Sequence, residues 1–180
     1  MMHLRIAEQG KLFSLKRNFT EALRYYREAI RMLEPQNIQG KDLFFQHYSQ
    51  CVMETLELSG SHEEVLNYCY QYLTFLEEKS ESDTLVNALK AHILEKMAVQ
   101  YLYLDEYDEA KGLLQESKNL AGEHKQPITD QLLMWLQRGY TINQKQIADL
   151  LKKNNYYIVR DDTVNRAIAL ELPKTTVSPC

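Results

Sequence analysis

The sequence predicts an all-α protein, a solenoid of three helical hairpins followed by C-terminal capping helices. Three observations predict it. One apolar stripe recurs three times with the same offsets. The copies begin at Ala22, Val65 and Ala110, 43 and 45 residues apart, a near-constant period that signals stacked helical units. Only 6 Gly and 4 Pro in 180 residues leave little for the tight turns that all-β folds need.

The first hairpin opens with Ile6, Gly10 and Phe13 on one helical face, the glycine offering a close approach to a neighbouring helix. The stretch "LKRN" is its turn. The second helix carries Ala22, Tyr26, Ala29, Ile30 and Leu33, at offsets 0, 4, 7, 8 and 11. Alanine buries little area, so two on the inner face mean that another helix packs close. Pro35 is expected to end this helix, because it lacks an amide donor and disfavours a helical residue before it.

The second hairpin begins with "DLFFQHYSQCVMETLEL", where Phe45, Tyr48, Val52 and Leu56 are periodic. Val65, Cys69, Tyr72, Leu73 and Leu76 then repeat the offsets, behind a capping box of Ser61 and Glu64. The third pairs "LVNALKAHILEKMAVQYLYL", with Leu94, Met97, Ala98 and Tyr101, with a helix bearing Ala110, Leu114, Ser117 and Ala121. A ring precedes each second helix, as Phe19, His62 and Tyr107.

These positions carry a resemblance to the tetratricopeptide repeat (TPR) family. Its pattern of small residue, aromatic, small residue and proline is matched by Ala22, Tyr26, Ala29 and Pro35, with Gly10 at the first-helix glycine. The third copy matches through Ala98, Tyr101, Tyr107 and Ala110. The second is degenerate, with Met53 at the glycine position and Val65 at the small one. Each repeat is longer than the family's usual 34 residues, the extra residues falling in "PQNIQGKD" and "EEKSESDT". The resemblance covers residues 3–122.

Gly122 is a stop signal for the last repeat helix, and Pro127 suits the first turn of the next. Residues 123–172 are expected to hold capping or partner-binding helices. Ile128, Leu132, Trp135 and Leu136 share one face, with Trp135 the expected anchor, and Ile147, Leu150 and Leu151 share the next. Tyr156 to Val159 reads as a short strand or a helix continuation, and Asp161 or Asp162 as the start of a helix through Leu172. "IADLL" and "DDTVNRAI" weakly resemble a helix-turn-helix pair, but the gap between them is too long for that motif. Residues 173–180 read as a loose polar tail.

The bulk composition narrows the function. Charged residues make up 26% of the chain and the net charge is −4, which disfavours a nucleic-acid partner. No apolar run is long enough to span a membrane. The start, "MMHLRIAEQGKLF", lacks a secretory core, and Cys51, Cys69 and Cys180 show no paired spacing, so a reduced, cytoplasmic protein is expected. His47 with Cys51, and His92 with Glu95, each supply two donors on one helix where structural zinc wants four. No phosphate loop or nucleophile motif occurs, so neither an enzyme nor a metal or cofactor site is expected.

The resemblance implies a groove lined by the first helix of each hairpin, holding a partner's extended or helical segment. The corresponding positions are Ala7, Lys11 and Ser14; His47, Gln50, Glu54 and Glu57; and His92, Glu95, Lys96 and Val99. The plainer alternative is that these are simply polar faces of amphipathic helices. One subfamily grips a terminal carboxylate with lysines, an arginine and asparagines. Here Ala7, Lys11 and Cys51 stand at three of those positions, so that use is not expected. The acids Glu54, Glu57 and Glu95 outnumber Lys11 and Lys96, which favours a basic or amphipathic peptide or helix as partner. The expected function is a protein-binding scaffold, adaptor or chaperone. The second reading is a DNA-linked regulator whose repeats sense a peptide, and the third an enzyme. Self-association stays open.

Overall fold

The computed structural model describes residues 1–34, 39–77 and 84–173. They form eight α-helices, with no strand among the described residues: α1 (Met2–Leu15), α2 (Phe19–Arg31), α3 (Lys41–Leu58), α4 (His62–Glu77), α5 (Thr84–Tyr103), α6 (Tyr107–Ala121), α7 (Pro127–Gln137) and α8 (Gln144–Lys153). None of these helices is long and apolar enough to cross a membrane. The chain divides into two compact bodies, one of Met1–Ser59 with the chain from Ile158 onward, the other of Gly60–Tyr157.

In the first body α1 packs on α2, and α2 on α3. The turn after α1 puts Arg17 in the left-handed region (φ 59°), and Asn18 then accepts the Glu21 amide at 3.3 Å, capping α2. The inner stripe of α2 is shut from solvent: Ala22, Tyr26, Ala29 and Leu33 are all buried. Gly10 faces Tyr26 and Tyr25 so closely that a Cβ there would lie 2.9 Å from Tyr26 Cε1 and 3.1 Å from Tyr25 Cβ. The sequence pattern therefore has a steric cause, because α1 and α2 approach through a glycine. α2 ends at Arg31 and turns through Glu34. Pro35 and half of "PQNIQGKD", most of "EEKSESDT", and all but the first residue of the expected tail lie outside the described residues.

Ile6, Ala7, Tyr25, Ala29, Leu33 and Tyr48 form the core of this body. Burying a large aliphatic or aromatic side chain contributes about 1.5–3 kcal/mol, so Ile6, Tyr25, Leu33 and Tyr48 offset part of the entropy lost in ordering the three helices. Phe45, expected in the apolar stripe of α3, is exposed; Phe44 packs on the core in its place, its ring 4.9 Å from that of His3. One residue along a helix turns a side chain by about 100°, enough to exchange the two phenylalanines.

In the second body α4 packs on α5, α5 on α6, and α6 on α7. Ala98, Leu102, Ala110, Leu114, Leu132 and Leu151 lie in one buried cluster. The starts of α7 and α8 have local causes. Pro127 occupies the first turn of α7. Asn143 and Gln146 form a reciprocal capping box on α8, at 2.8 and 2.9 Å. His62, at the recurring ring position, stacks on Tyr103 with centroids 4.7 Å apart. Leu132 and Leu133 anchor α7, whereas Trp135, expected in that role, is half-buried at the edge of the cluster.

No helix follows Lys153 among the described residues. The helix expected from Asp161 or Asp162 to Leu172 is replaced by turns. Thr163 Oγ1 receives the Arg160 amide at 2.9 Å and lies 2.7 Å from the Ile158 carbonyl and 3.0 Å from that of Arg160. Asn165 Oδ1 accepts the Ala167 amide at 3.2 Å. Hydroxyl and amide side chains that bond the local backbone compete with helix formation, and here they win. The helix that a helix-turn-helix reader would need at 163–170 does not form. The expected strand or helix continuation at 156–159 does not form either.

Candidate functional site

The nine polar residues among the expected groove positions fall in both bodies, six in the first and three in the second. In the first, Lys11, Ser14, Glu54 and Glu57 are buried, and His47 and Gln50 are half-buried. They are not the open polar face that their helical spacing suggests.

Lys11 is taken by Glu8 and Ser14 lies against Thr55 of α3, while Glu54 is held by the chain's own C-terminal segment, which bonds to α1, α2 and α3. Glu54, on α3 and 3% exposed, receives the Ile158 amide on Oε1 at 2.5 Å and the Val159 amide on Oε2 at 3.2 Å. Glu8, on α1, accepts Lys11 Nζ on Oε1 and the Asn165 amide on Oε2, both at 2.7 Å. The Arg5 carbonyl takes the Leu170 amide at 3.1 Å, and Arg5 Nε donates to the Ile168 carbonyl at 3.2 Å. The Tyr25 hydroxyl, from α2, accepts the Leu172 amide at 2.8 Å. Leu172 itself packs against the core.

Five amides and one carbonyl of the segment are thus held by three helices. Every one of those hydrogen bonds is to main chain, so the face reads a non-helical, turn-containing backbone more than particular side chains. Bonds from neutral amides to a carboxylate are charge-assisted and worth about 1.5–3 kcal/mol each. They also meet the cost of burying Glu54 and Glu8, which would be prohibitive for an unpartnered carboxylate.

The titratable groups beside this face are tuned by burial. His47 is held below its ordinary pKa, first by burial and then by the Lys11 charge, so its ring is neutral at pH 7. Burial, with Glu54 adding to it, pushes the Cys51 thiol up to about 12 and keeps it protonated. The Tyr26 hydroxyl is driven up chiefly by burial.

In the second body, Glu95 caps α7: Thr129 donates to its Oε2 from the amide at 3.1 Å and from the hydroxyl at 2.5 Å. Burial raises the Glu95 pKa, and the Thr129 bonds and the Lys96 charge moderate the rise. Lys96 is buried, its Nζ donating to the Tyr156 hydroxyl at 3.1 Å. His92 lines a cleft of about 400 Å³ together with Glu95, Gln126 and Tyr156. The surrounding walls, and then Lys96, lower its pKa to about 4. Among the described residues, no three His, Cys, Asp or Glu side chains converge in a metal-binding arrangement.

The expected groove positions lie on α1, α3 and α5, and they do not include Glu8, Arg5 or Tyr25, which also hold the segment. The i, i+3 pairing of Glu8 with Lys11 was a visible signal for the first. Nothing in the sequence marks residues 158–172 as the cover. No known protein family, curated protein or solved structure matches the chain.

Proposed function

We propose that this chain is a protein-binding scaffold of the TPR-like helical-hairpin type, which holds a non-helical segment of a partner protein on α1 and α3. The observation that carries this reading is the self-contact: carboxylates of these helices already grip a polypeptide by its main chain. The buried small-residue stripe and the glycine contact between α1 and α2 support the repeat assignment.

The structure changes the chemistry expected of the partner. A basic ligand was inferred from apparently open acids. Glu54 is instead bonded to amides and Glu95 to the start of α7, so the partner we propose is a non-helical chain offering free amides, without a required positive charge. Co-purification from the native host tests this. A partner identified by mass spectrometry should be retained by the parent chain and lost on Glu54→Ala, with helix content unchanged. Retention of that partner by the Glu54→Ala chain would move the site elsewhere.

A further inference from the structure

The gripping face of the first body is already filled, and the manner of filling specifies what can bind there. Residues 158–172 place an amide pair on Glu54, a third amide on Glu8 six residues later, and Leu172 on the core. The segment has two arginines against three acids, so charge does not dominate the recognition. We propose that residues 158–172 are a built-in competitor, and that the chain binds partner segments that imitate them. Such a segment is non-helical, turns between its two gripping points as the resident one does, and has no proline at the three amides held by carboxylates. It carries an aliphatic residue at the position of Leu172, and it binds by displacing the chain's own segment. This rests on the scaffold reading above.

The segment is built for release. It belongs to no helix, and Asp161, Asp162, Thr163, Asn165, Arg166 and Ala167 all face solvent. Its hold consists of a few main-chain hydrogen bonds and limited apolar contact, the profile of elements that open locally without global unfolding. Pro173 follows Leu172 directly and can donate no amide of its own. The face behind the segment keeps two carboxylates that must find amides again once it leaves. A partner backbone supplies them, whereas a small apolar ligand does not.

Tethering sets the magnitude. A segment joined to its own binding face competes at an effective concentration of about 1 mM. If the free segment binds with a dissociation constant of about 100 μM, an external copy is weakened roughly tenfold by the resident one.

The test uses the full chain and a fluorescent synthetic peptide of residues 156–172, read by anisotropy. The competing segment is loosened within the full chain by Val159→Pro with Leu172→Ala. The loosened chain should bind the peptide about tenfold more tightly than the parent. A peptide carrying Val159→Pro should bind about tenfold more weakly than the unmodified one; that arm alters only the peptide and cannot be confused with misfolding. Equal affinity for parent and loosened chains would refute the competitor while leaving the scaffold reading intact. No binding to either chain would refute both. Concentration-dependent dimers of the parent without peptide uptake would assign the face to a second copy and overturn the proposal.

Discussion

Gly10→Ala adds one methyl group at the contact between α1 and α2, and the structure fixes the sign of its effect. The new Cβ would lie 2.9 and 3.0 Å from the Tyr26 ring and 3.1 Å from Tyr25 Cβ. Tyr26 is fully buried and cannot swing aside, and a Cβ moves only with its helix. The helices must therefore separate. Overpacking of this kind costs about 1–3 kcal/mol, and three simultaneous close contacts place it in the upper half of that range. Replacing a helical glycine by alanine returns about 1 kcal/mol. The net effect is a loss of about 1–2 kcal/mol, or about 2–8 °C in Tm for a chain of this size. Gly112, inside α6, supplies the control: a Cβ there meets nothing within 4 Å. Gly112→Ala should stabilise by about 0.5–1 kcal/mol. Thermal melts followed by circular dichroism measure both. If the two variants shift Tm in the same direction, the close approach at Gly10 is wrong.

Ala22 and Ala110 are fully buried at equivalent positions of two hairpins, so Ala22→Leu and Ala110→Leu should each cost about 1–3 kcal/mol in the same melts; an unchanged midpoint would show that position to be on the surface. His3 and His47 both have folded pKa values held below the ordinary 6.5, chiefly by burial. The stability they contribute is complete above pH 6.5 and is lost as pH falls from 6.5 toward the folded values, by at most about 1.4 kcal/mol per unit of depression at buried His3. Glu95, raised above 4.5, acts in the opposite sense, so the comparison belongs in a Glu95→Gln background between pH 7.5 and 5.5. There Tm should fall, and fall less when His47→Gln is added; a flat profile would contradict the buried neutral histidines.

The α1–α2 and α5–α6 pairs were legible because their cause is local and periodic. Ala22, Tyr26 and Ala29 announce a close-packed face by size and spacing alone, and burial follows from that spacing. Proline and glycine marked the boundaries of α6 and α7 for equally local reasons. The segment after Lys153 was not legible. Its fate depends on Glu54 and Glu8, more than 100 residues earlier, and on Thr163 and Asn165 diverting the backbone into turns. Helical spacing could place Lys11, Glu54 and Glu95 on inward faces. It could not show that an ion pair, two chain amides and the start of α7 had already claimed them.

Amide hydrogen exchange of the full chain, with and without saturating partner or competing peptide, tests the central claim most directly. In the free chain the amides of Ile158, Val159, Asn165 and Leu172 should be protected, because Glu54, Glu8 and Tyr25 hold them. On saturation they should exchange at the rates of an open chain while α1 and α3 stay protected. Amides of 158–172 that exchange freely without any ligand, or that remain protected once the partner is bound, would contradict the account.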